Sequence, residues 1–132
     1  MFSAIRRISF LVEAEVPSRY EHIDFKPPKG AKEAAKRGLE LLKVKKAATP
    51  RGIARARDLV NGRTLSPSTV KRMYSFFSRH EVDKKSKAWK EQTPSNPSKG
   101  YIAWLLWGGD AGFSWARKVT MQMAVTDRKE GC

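Results

Sequence analysis

The chain has 132 residues, enough for one domain with a modest core, and 40% of them are apolar. Its 27 lysines and arginines outnumber 13 acids, a net charge of +14, and a compact state of that charge calls for an anionic partner. A single cysteine, Cys132, excludes an internal disulfide framework, and the apolar run Ile102 to Trp107 is too short to span a membrane.

The charge is uneven. Residues 1–25 hold 3 basic and 4 acidic groups, whereas residues 26–72 hold 14 and 3. Concentration of this kind creates a local field that a scatter of charge does not.

Residues 1–13 read as a short helix with Phe2, Ile5, Ile8 and Val12 on one side. Residues 14–29 are proline-rich and read as a linker, which places the domain at 30–126 and a tail at 127–132. The first domain helix is expected over 31–46, with Ala31, Ala35, Leu39 and Leu42 as its apolar stripe. Lys32, Lys36 and Arg37 lie outside that stripe, and Lys43, Lys45 and Lys46 suit the negative end of the helix dipole. Gly38 is a weak spot within it.

A second helix is expected over 50–61, with Thr49 as N-cap, Pro50 in the first turn and Asn61-Gly62 as the stop. Ile53, Ala56 and Val60 share one side, and Arg51, Arg55 and Arg57 make a basic face. The third, over 66–80, carries the best local signal: Ser66 as N-cap, Pro67 at N1, and Leu65 with Val70 as a hydrophobic staple. Val70, Met73, Tyr74 and Phe77 form its apolar face.

Residues 81–99 are polar and lysine-rich and read as a surface loop or mobile excursion carrying Trp89. Pro97 opens a fourth helix ended by Gly108-Gly109, and Asp110 caps a fifth. No strand alternation appears. The expected class is all-α, a small bundle of about four to five short helices, with a helix-turn-helix-like pair at 50–80.

Little here suggests catalysis or a cofactor. His22 and His80 are isolated, Cys132 is terminal, and there is neither a glycine-rich phosphate loop nor a nucleophile elbow, so the chain reads as a non-enzyme without a metal. Nucleic acid is the expected partner, bound mainly at its phosphates by Lys32, Lys36, Arg37, Arg51, Arg55, Arg57, Arg63, Lys71 and Arg72. "LSPSTVKRM" is similar to the start of repressor recognition helices, which would turn Ser66, Ser68, Thr69, Lys71 and Arg72 toward DNA; the connection before it is longer than in that pattern. Tyr101, Trp104, Leu105, Trp107, Phe113 and Trp115 read as core, while Trp89 is left either to stack on a base or to cover an apolar edge.

GAKEAAKRGLEL, GIARARDLVNGRTLSPSTVKRMYSFFSRHEVDK, PSKGYIAWLLWGGDAG and WARKV together make Gly30 to Val119 resemble a small basic module of phage-encoded proteins. The resemblance implies a phage context and supplies no catalytic residues. The module's usual form has a glycine-rich stretch where this chain has KVKKAATP. Leu11-Val12-Glu13 followed by Ala14 is similar to the prohead-protease site that ends the capsid-targeting segment of internal head proteins in large contractile-tailed phages. That likeness implies cleavage after Glu13, capsid or scaffold partners, phage DNA as the nucleic acid, and residence in the virion interior and host cytoplasm. The alternative is a host-takeover or regulatory protein that binds DNA specifically, or an acidic host protein. A secretory signal fits poorly, since ISFLV is short and is followed by Glu13 and Glu15.

Overall fold

The computed structural model describes residues 16–131, and these are helical with no sheet. The helices, in order, are α1 (Lys29–Leu41), α2 (Pro50–Val60), α3 (Pro67–His80), α4 (Lys87–Lys90), α5 (Lys99–Leu106) and α6 (Gly109–Gly131). Short 3-10 turns at Ser18–Tyr20 and Glu81–Lys85 precede α1 and α4. The all-α class is therefore as the sequence indicates.

The helix starts follow local chemistry. Thr49 Oγ1 accepts from Gly52 N at 3.1 Å, Ser66 Oγ from Thr69 N at 3.2 Å, and Ser98 Oγ from Tyr101 N at 3.0 Å. Each satisfies a backbone donor that the first helical turn leaves free. α5 opens at Lys99 with Ser98 as its cap, two residues after Pro97. Gly108 and Gly109 take positive φ values of 120° and 65°, so the chain turns from α5 into α6 where a side chain would be strained. Asp110 does not cap α6; its carboxylate accepts from Trp104 Nε1 at 2.9 Å and from Lys84 Nζ at 2.8 Å.

The core lies where α1, α5 and α6 meet, with α2 and α3 closing it. α1 packs against α5, α2 and α6, and α3 packs chiefly against α6. Ala31 and Ala35 are fully buried, which lets α1 approach closely. Gly38 completes that contact: a Cβ there would stand 2.9 Å from the backbone nitrogen of Leu106. The position that looked weak is a close-approach site. Phe77, fully buried, meets Trp104 edge-on at 4.8 Å and stacks on Phe113 at 5.1 Å, so the aromatic block is core.

Several expectations need correction. Residues 14–29 do not form a free linker over their described part: Tyr20, Ile23 and Phe25 are buried, and Leu65 N donates to Phe25 O at 3.0 Å. Three large apolar groups within six residues outweigh the flanking prolines. α1 ends at Leu41, five residues early, in a tight turn where Lys43 N reaches Glu40 O and Val44 N reaches Leu41 O. α6 runs through the predicted tail, because Thr126 is buried and Asp127 is tied to Tyr20 and Arg19. The pair at 50–80 forms as two helices without repressor-like packing: α2 rests on α1 and α5, α3 on α6. The surface reading of 81–99 holds, but the segment is pinned by Lys84 to Asp110 and by Trp89.

Candidate nucleic-acid interface

The basic surface is built from α2 and the start of α3. α2 buries Gly52, Ala56 and Leu59, and this places Arg51, Arg55 and Arg57 off the buried stripe. Arg51 and Arg57 are exposed. Arg55 is different: its side chain keeps only 11% exposure, and its guanidinium lies 5.5 Å from the centre of the Trp107 ring. Trp107 also stacks on Phe76 of α3 at 4.6 Å, nearly parallel, and Phe76 lies 4.6 Å from the His80 ring. An indole from the end of α5 thus touches both basic helices.

Arg55 Nη1 donates to Asp58 Oδ2 at 3.0 Å, while its Nε is buried with no partner among the described residues. Burial pushes the Arg55 pKa down; the Asp58 carboxylate pulls it back up, and the positive charges of Arg72 and Arg51 push it further down. Arg51 and Arg72 thus add to the positive field felt at Arg55. Arg63 reaches the same Asp58 at 3.7 Å from a half-exposed position. One carboxylate serves two of these four arginines, and the set keeps a large uncompensated positive charge. Such a cluster is suited to phosphate oxygens, which guanidinium groups grip in bidentate fashion.

The other nominated residues divide. Lys71 and Arg72 are neighbours in sequence yet act on different surroundings: Arg72 acts on Arg55, and Lys71 acts on Asp127 of α6. About 100° of helical rotation separates adjacent side chains, which accounts for the split. Ser68 and Thr69 belong to a hydroxyl cluster at the α3 start, where Ser66 Oγ donates to Thr69 Oγ1 at 2.8 Å and lies 3.2 Å from Ser68 Oγ. Their geometry is that of a cap. Lys32, Lys36 and Arg37 sit on α1, with Lys36 loosely paired to Glu33 at 4.0 Å, and none acts on Arg55. Arg57 is exposed on α2.

Trp89 is half-buried and meets Tyr101 at 5.2 Å and Trp104 at 6.2 Å, both edge-on. It covers the aromatic edge of α5. Glu13 and Ala14 lie outside the described residues.

Among the described residues, no group of three His, Cys, Asp or Glu side chains is placed to hold a metal ion. None of the described helices is long and apolar enough to cross a membrane. The sequence reading missed the role of Trp107 as the plate under Arg55, because only the tertiary crossing of α5 with α2 and α3 brings them together. No family model, curated protein or solved structure matches the chain.

Proposed function

We propose that this is a phage-encoded, virion-associated basic protein that binds nucleic acid mainly at its phosphates and is processed after Glu13. The observation that carries the binding is the basic face of α2, where Arg55 is laid against Trp107 with Asp58 as its neutralising neighbour, Arg63 reaches the same carboxylate, and Arg51 and Arg57 stand exposed. The net charge of +14 supplies long-range attraction, and the cluster supplies a place where a phosphate meets several donors at once. Engagement of Ser68 and Thr69 in the α3 cap favours backbone contact over base reading.

Affinity for unrelated duplexes, measured by fluorescence anisotropy over a salt series, tests this. Log affinity should fall linearly with log salt, by about 0.9 per phosphate contacted. Arg72→Ala and Arg51→Ala should each lower that slope by about 1 on every sequence alike. Absence of binding at low salt removes the reading. A strong sequence preference that disappears in Lys71→Ala and Arg72→Ala replaces it with a DNA-specific regulator.

A further inference from the structure

The last helix carries a second surface of a different character. Ala116, Val119, Met123 and Thr126 of α6 are buried. Met121 and Val125, one helical turn apart, are 50% and 41% exposed. They floor a groove of about 840 Å³ that runs along α6 from Ser114 to Lys129. Its far wall is the turn that precedes α1, where His22 Nε2 meets Thr126 Oγ1 at 3.0 Å and Arg19 is tied to Asp127. Arg19, Arg117, Lys118 and Lys129 contribute to its lining, which contains no acid among the described residues.

We propose that this groove docks an acidic amphipathic helix of a partner protein. The floor supplies two apolar anchors, Met121 and Val125, against which neighbouring apolar side chains of a partner helix's i, i+3, i+4, i+7 stripe can pack. Methionine adapts to such partners because its side chain is flexible and polarizable. The basic rim meets carboxylates that flank the partner's apolar stripe, as charges flank the seam of a coiled coil. The lined stretch of α6 is about 22 Å long at helical rise, room for some four turns of a second helix.

Charge selects this occupant over three others. Nucleic acid offers phosphates to the rim but nothing apolar to the floor. A second copy in a two-fold contact sets four cations against the same four cations. Residues 1–15 of the chain carry two arginines and two glutamates, so they bring no net complement.

The probe is a synthetic, fluorescently labelled peptide of about five helical turns, with leucine at i, i+3, i+4 and i+7 and glutamate on both flanks. The full chain should bind it, and Met121→Glu, Val125→Glu and the double variant Arg117→Glu/Lys118→Glu should each weaken binding about tenfold or more. These positions are exposed, so thermal melts of the variants should match the parent. Arg72→Ala should leave peptide affinity unchanged. A scrambled peptide of equal charge that binds as tightly overturns the proposal in favour of bare electrostatics. A full chain that binds only after Ile5→Asp and Ile8→Asp overturns it in favour of the chain's own first residues. A dimer in sedimentation that Met121→Glu dissolves overturns it in favour of a second copy.

Discussion

Asp127 shows how much a single side chain decides. Tyr20 Oη donates to it at 2.6 Å and Arg19 Nε at 3.2 Å, and its carboxyl pKa is held below the usual carboxylate range, chiefly by the Tyr20 hydrogen bond. A depressed folded-state pKa means that the unfolded chain binds more protons in the acid range. The resulting stability is present above the ordinary carboxylate pKa of about 3.9 and is lost as pH falls through the lower folded value. Asp110, lowered first by its Lys84 partner and then by Trp104, acts in the same direction. Thermal melts across pH should therefore show a contribution from these acids that is constant between about pH 5 and 8 and a fall below about pH 4. Asp127→Asn should lower Tm by a few degrees at neutral pH and make the acid limb shallower. Tyr20→Phe, which keeps the buried ring and removes the donor, should reproduce most of that neutral-pH loss. An acid limb unaltered by Asp127→Asn would assign it to other carboxylates.

At the scale of elements, the contact between α1 and α5 is constrained by a close approach of backbone to backbone. A methyl group at Gly38 would fall 2.9 Å from a backbone nitrogen, which cannot swing aside as a side-chain end can. Gly38→Ala should destabilise the fold by about 1–3 kcal/mol in urea unfolding, even though alanine is the better helix former by about 1 kcal/mol. A neutral or stabilising result would mean that the two helices separate freely.

The helices themselves were largely legible in the sequence. Thr49, Ser66 and the Gly108-Gly109 pair mark boundaries with local chemistry that survives into the fold. What was not legible depended on tertiary contact. Tyr20, Ile23 and Phe25 look like polar-loop exceptions until α6 and the α2–α3 connection are there to cover them. The buried stripe of α2 is Gly52, Ala56 and Leu59 rather than Ile53, Ala56 and Val60, with Gly52 facing Trp107 and Leu106. Of the nominated basic residues, Arg55 alone is drawn in against Trp107 and Asp58, and no one-dimensional spacing could have separated it from Arg51 or Arg57.

At the scale of the whole molecule, the fold described from Val16 onward lies entirely after the Glu13–Ala14 bond. A cut there removes Arg6, Arg7 and Glu13 and leaves a chain of +13, so neither the arginine cluster nor the α6 groove loses a residue. Intact-mass measurement on purified virions should find the protein with Ala14 as its first residue. An uncut chain in the virion removes the processing step, and absence from the virion removes the virion assignment. The contact of Arg19 with Asp127 has another consequence. It brings the first described turn beside the last turns of α6, so in a chain cut back to residues 16–131 a short linker joins the two. A chain so permuted and opened at the exposed Thr93–Asn96 turn would keep every core contact among the described residues.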